Sequence, residues 1–124
     1  MIQGAVNASR EAVVALHLQG PEGRTRDIEG VVDTGYSGFL TLPAGLVAEL
    51  ELPFAYLGQA LLANDDEVTF DVHDVTVLWD DQPRHIKADA TGSTSFMGMT
   101  MLDDHNLNIE VVSGGSVVIV ARGR

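Results

Sequence analysis

The stretch Glu29–Pro43, EGVVDTGYSGFLTLP, decides the reading. An apolar pair, Val31-Val32, runs into Asp33-Thr34-Gly35, and the chain turns apolar again at Phe39-Leu40. Glycine frees the backbone to turn sharply after a strand, and the valine pair anchors that turn in a core. Thr34 can fix the loop through its hydroxyl, and Gly35 leaves room for another backbone to approach. The product is a rigid, partly dehydrated carboxylate at the end of a core strand. A single carboxylate of this kind has little use in hydrolysis. Two that share a proton divide acid and base work, because close like charges do not both ionise. A plain turn uses the same residue types, so the surrounding structure has to decide.

That surrounding reads as strands, because the dominant hydrophobic period is two. EAVVALHL and RDIEGVVD flank QGPEGRT and form a hairpin that ends at Asp33. After the loop, Pro43 fits the first turn of a short helix carrying Leu46, Val47 and Leu50. Asn64-Asp65-Asp66 sits between apolar runs and reads as a hairpin tip. Val68, Phe70 and Val72 alternate on even positions, then Val75, Val77 and Trp79 on odd ones, so a bulge or bend is expected at His73-Asp74. Asp80 to Pro83 makes another turn. Phe96-Met97 leads into Gly98, with a short helix expected over Thr100 to Asp104. LNIEVV and SVVIVA are strands joined by Ser113-Gly114-Gly115. The expected architecture is one all-β domain over residues 1–124, with closed or strongly curved sheets and one or two short helices.

Composition narrows the function classes. The chain has 124 residues, 45% of them hydrophobic and 20% charged, a globular balance with enough length for a real core. Its net charge of −11 argues against nucleic acid or an anionic membrane surface as partner, since both reward basic patches. Cysteine is absent, which removes disulfides, thiol catalysis and cysteine zinc sites. The N-terminal residues lack the basic start and apolar run of a secretory signal, and no stretch has the length of a membrane span, so a cytoplasmic protein is expected.

VVDTGYSGFLTLP resembles the catalytic loop of retropepsin-like aspartic peptidases, especially their small prokaryotic single-lobe branch. ALLANDDEVTF falls where that family carries its flap hairpin, and FMGMTMLDDHNLNIEV is similar to its apolar-apolar-Gly segment near the C-terminal end. The resemblance runs from about Val31 to Ile119. It implies a single-lobe acid-protease barrel with Asp33 as the catalytic carboxylate. It further implies that Thr34 bonds its counterpart across a two-fold axis, that Gly35 lines the cleft, and that Gly98 packs behind the catalytic loop. Ala63, Asn64, Asp65 and Asp66 would close over a peptide substrate, with Ser37 at the edge of the cleft. Many retroviral members place an acidic residue at the position of Ser37 and an arginine at that of Met99. Both are absent together here.

The motif occurs once. The nearest second match, Asp89 to Gly92, has Ala90 inserted and reads as a loop before Phe96. A dyad therefore requires two chains on a two-fold axis, each giving one Asp33. The reading that results is a homodimeric aspartic endopeptidase acting on peptide or protein substrates, with no cofactor and no metal. The alternative is a catalytically silent dimeric domain of the same fold that binds or scaffolds. A third reading is an all-β protein whose acidic surface meets a basic partner. The terminal segments MIQGAV and SVVIVA are expected to offer open strand edges for the dimer. Asp103-Asp104-His105 has no recognised ligand spacing and reads as a polar helix end. His17 and His85 are expected on exposed faces, Trp79 in the core, and VARGR as a frayed tail.

Overall fold

Alternation of apolar and polar side chains builds the first three strands, β1 (Ile2–Val6), β2 (Ala12–Gln19) and β3 (Thr25–Val32). Ala12, Val14, Leu16 and Leu18 of β2 are buried while the residues between them are not, which is the strand period of two. A single 3-10 turn at Pro21–Gly23 joins β2 to β3, with Glu22 and Gly23 at left-handed φ of 58° and 75°. The structure, a computed structural model, describes residues 1–123.

After the Asp33 loop comes the wholly buried β4 (Leu40–Leu42), followed by α1 (Ala44–Glu49). Pro43 is the N-cap of α1 and not a residue of its first turn. Val47 and Leu50 are buried and Leu46 packs against the core, as their helical spacing predicted. The remaining strands are β5 (Phe54–Leu61), β6 (Glu67–Trp79), β7 (Gln82–Ala90), β8 (Phe96–Met97), β9 (His105–Ile109) and β10 (Ser116–Ala121).

These strands form one sheet in the order β5-β6-β7-β4-β8-β3-β2-β1-β10-β9, and β6 also pairs with β2. The extra pairing, with Leu18 opposite Val77, rolls the sheet into a barrel. One edge of β6 serves two neighbours, β5 along its first half and β2 along its last turns. The barrel interior holds Leu16, Leu18, Leu40, Val77, Met97 and Ile119, all at most 3% exposed. The fold is all-β with one short α-helix among the described residues. No helix of those residues is long and apolar enough to cross a membrane.

Several expectations need correction. No helix forms over Thr100 to Asp104. That segment is a run of turns: Asp103 and His105 N–H bond carbonyls three residues back, to Thr100 O and Leu102 O, and Asp104 takes a left-handed φ of 65° that no helix continues through. There is no bulge at His73-Asp74: β6 pairs with β7 without a break from Asp71 to Trp79. The register shift lies across from it, between Phe54 and Tyr56 of β5. The change of phase in β6 records a change in which face is covered, since Val72 and Val75 are both buried although they point to opposite sides.

LNIEVV leaves the sheet early. Strand β9 ends at Ile109, and Val111 and Val112 stand in the loop, 64% and 60% exposed. The terminal strands have no open edges: β1 is paired with both β10 and β2, and β10 with both β1 and β9. The free edges of the sheet belong to β5 and β9. Asp89 and Ala90 belong to β7, not to a loop. The tail is held at least as far as Arg122, whose N–H bonds Asp104 O at 3.0 Å, while Arg124 lies outside the described residues.

The β2–β6 seam closes the barrel, so it should dominate stability. Leu18→Ala is expected to cost about 2–5 kcal/mol. Leu78→Ala, on the exposed side of the same seam, should cost well under half of that. Urea unfolding of both variants checks the ranking, and equal losses would mean that the seam carries no special weight.

Candidate active site

Asp33 leaves the sheet one step beyond the parallel pairs Val31↔Phe96 and Val32↔Met97. Its backbone N–H continues that ladder by bonding Met97 O at 2.9 Å. The loop then closes on itself. Gly35 N–H donates to Asp33 Oδ1 at 2.9 Å, and Tyr36 N–H donates to Asp33 O at 3.2 Å. A carboxylate that accepts a bond from the residue two positions on is the turn chemistry for which aspartate is favoured. Oδ2 accepts no hydrogen bond from the described residues. Asp33 is half-buried, whereas Thr34 and Gly35 are exposed.

Gly98 packs behind this loop. A Cβ there would lie 2.2 Å from Gly38 O and 2.7 Å from Tyr36 O, so only glycine fits. The absence of a side chain lets three successive N–H groups reach the loop: Gly98 to Phe39 O at 3.0 Å, Met99 to Tyr36 O at 2.8 Å, and Thr100 to Gly38 O at 3.2 Å. The Thr100 hydroxyl also donates to Ser37 O. The loop is thus braced by main chain and one threonine. Met99 is 49% exposed.

Of the apolar residues expected to be buried around the loop, Leu40 and Met97 are fully buried, and Val32 is half-buried and packs against the core. Val31 and Phe96 are only half-buried, because their pairing sets both on the face turned away from the barrel interior. The structure brings Asp33, Thr34, Gly35, Ser37 and Gly98 together. Ala63, Asn64, Asp65 and Asp66 lie apart from them, at the tip of the β5–β6 hairpin. That tip is closed by Leu62 N–H to Asp66 O at 2.9 Å and by Asp66 N–H to Asn64 Oδ1 at 3.1 Å. Both faces of the arm are exposed from Gln59 to Thr69.

Sequence reasoning missed three supporting residues. Tyr36 donates its hydroxyl to Asp89 Oδ2 on β7 at 2.6 Å. Burial, the hydrogen bond to Asp89 and that carboxylate's charge together push the Tyr36 hydroxyl far above its ordinary range. Tyr36 therefore stays a neutral donor. Thr41 is the second, a buried hydroxyl that accepts Phe96 N–H at 2.8 Å and donates to Thr94 O at 3.0 Å, clipping β4 to the entry of β8. Arg84 is the third. Its guanidinium donates to Met101 O at 2.9 Å and lies 5.6 Å from the Phe39 ring centroid, tying β7 to the turns behind the loop. An aspartate directly after an apolar strand residue, as at Ala88-Asp89, was the one available signal. His105 is held at both ring nitrogens, Nδ1 donating to Asp103 O and Nε2 accepting from Trp79 Nε1 at 3.1 Å.

Two outcomes follow. Gly98→Ala should destabilise the chain by about 1–3 kcal/mol, because the neighbours it meets are backbone and cannot rotate away; thermal unfolding measures it. Tyr36→Phe should change the alkaline limb of stability. A free tyrosine titrates near pH 10, and the folded chain holds Tyr36 protonated beyond that. Its contribution is therefore complete below about pH 10 and is lost as pH rises further. Wild type should lose stability more steeply than Tyr36→Phe above about pH 10 in parallel urea titrations, and matching slopes would contradict the assignment.

The sequence matches no known family profile and no curated protein. In structure, the chain is similar to a retropepsin-like aspartic protease from Rickettsia conorii, with a TM-score of 0.61 and 17% identity over 98% of this chain and 92% of that one. At that identity the likeness fixes the architecture: this chain has the retropepsin-like fold, and its Asp-Thr-Gly loop stands at the end of β3.

Proposed function

We propose that the protein is an aspartic endopeptidase whose active site forms between two copies of the chain, each giving Asp33. The observation that carries this reading is the Asp33 carboxyl itself. One oxygen is fixed by Gly35 N–H, the other accepts no hydrogen bond from the described residues, and the loop that holds it is braced by three backbone bonds from Gly98 to Thr100. A group held so rigidly and left half unsatisfied is suited to act on something brought to it.

With two Asp33 carboxyls face to face, repulsion favours the state in which they hold one proton between them. A water between them loses its proton to the ionised carboxylate as its oxygen attacks the peptide carbonyl. The protonated partner donates to the carbonyl oxygen. The tetrahedral intermediate then breaks its C–N bond, and the leaving nitrogen takes up a proton from the dyad. The exposed β5–β6 arm supplies a cover that keeps bulk water from the reaction.

Register supports a place for the second copy. Ser116 opposes Ala5, Ala5 opposes Val13, and Val13 opposes Val31, so one row crosses the sheet from β10 to β3. The β9–β10 loop and the Asp33 loop therefore leave the sheet at the same end. Val111 and Val112 are exposed there beside the free edge of β9. In this reading the hairpin β9–β10 meets its copy and brings the two Asp33 loops together.

Wild-type protein should cleave an unfolded protein substrate in mildly acid solution, with a rate that falls on both sides of an optimum. Asp33→Asn should lower that rate by about 10²–10⁴-fold and stay folded. The double variant Val111→Asp, Val112→Asp should shift sedimentation from dimer to monomer and remove activity at low protein concentration. Cleavage by Asp33→Asn equal to wild type would take Asp33 out of the mechanism. A dimer that cleaves nothing would favour a binding domain of the same fold.

A further inference from the structure

Between the Asp33 loop and the base of the β5–β6 arm lies an open pocket of about 400 Å³. Phe39 lines it from the loop side, Tyr56 and Phe70 from the arm, and Asp89 from β7. Register explains why they meet. Tyr56 opposes Val72 on β6, and Val72 opposes Asp89 on β7, so the three stand in one row on one face. Gly58 opposes Phe70, and a Cβ on Gly58 would come within 2.4 Å of the Phe70 ring. The bare glycine lets that ring lie across β5.

Asp89 is the pocket's one lining carboxylate. Its Oδ2 accepts the Tyr36 hydroxyl, and its Oδ1 accepts no hydrogen bond from the described residues. Tyr36 is held as a neutral donor and adds no charge of its own to the pocket. The lining lysine, Lys87, is paired with Asp74 directly across the β6–β7 ladder. The pocket thus presents aromatic walls and an anionic oxygen with a vacant acceptor site, in a chain whose net charge is −11.

We propose that this pocket is a specificity subsite for a lysine or arginine side chain of the bound peptide. The aliphatic stem lies along Tyr56 and Phe70 and the cationic head meets Asp89 Oδ1, combining ring contact with a charge-assisted bond. An acidic side chain meets the Asp89 charge and is excluded. That the bound peptide is also cut rests on the peptidase reading; the preference in binding does not.

The test separates the two. Short peptides carrying arginine, norleucine or glutamate at each position in turn are titrated against Asp33→Asn protein by fluorescence anisotropy, so that no turnover intervenes. At one position arginine should bind about tenfold tighter than norleucine, with glutamate weaker than both. Adding Asp89→Asn should bring the arginine-to-norleucine ratio close to one, because asparagine still accepts from Tyr36 but carries no charge. The ratio in the parent protein should also shrink as salt is raised, which decides the matter if the Asp89 variant does not fold. Equal affinity at every position, a ratio that survives Asp89→Asn, or no measurable binding of any peptide overturns the proposal. Arginine preference without cleavage by wild type sinks the peptidase reading alone, and cleavage without arginine preference sinks this subsite alone.

Discussion

The contact between Gly98 and the Asp33 loop is the constraint on which the rest of the site depends. Two backbones approach so closely that a single Cβ would collide with main-chain oxygens of Tyr36 and Gly38. That proximity lets three consecutive N–H groups serve carbonyls on the loop. The close approach at Gly98 is what holds Asp33 rigid.

The Asp33 loop was legible because its chemistry is local. A valine pair, a turn-forming aspartate, two nearby glycines and a buried strand all fall between Glu29 and Pro43. The same holds for α1, where the spacing of Leu46, Val47 and Leu50 marks a helical face, and for the tip at Asn64 to Asp66, where polar turn residues interrupt two apolar runs. What stayed hidden is long-range. Tyr36 and Asp89 are 53 positions apart, and neither carries a local signature of the pair it forms. Thr100 looked like a helix residue, because its hydroxyl partner lies 63 positions back.

The misread strands teach a related point. Alternation shows which side of a strand is covered but not what covers it. In β6 the covered side changes along an unbroken ladder, so a change of phase in the sequence imitated a bulge. At the termini, apolar strands looked like open edges because their partners, β10 for β1 and β1 for β10, sit at opposite ends of the chain. Val111 and Val112 continued an apolar run and so read as strand. The ladder stops after Glu110 N–H bonds Ser116 O, because Val112 N–H then folds back to Glu110 O and Gly115 N–H to Val112 O, which turns the chain.

The double service of β6 has a mechanical consequence. Its last residues are barrel wall, sealed between β2 and β7, and its first residues are one side of an arm exposed on both faces. The transition is marked at His73. Its Nδ1 donates to Leu52 O at 2.8 Å, and its ring packs edge-on to Phe54 at 5.7 Å where the register of β5 shifts. Peptide hydrogen bonds on the arm side are guarded by little buried apolar area, while those beyond Val72 are guarded by the whole core. The arm can therefore fray and re-form on its own timescale while the unzipping halts at His73, a built-in stop that keeps the arm's motion from propagating into the barrel.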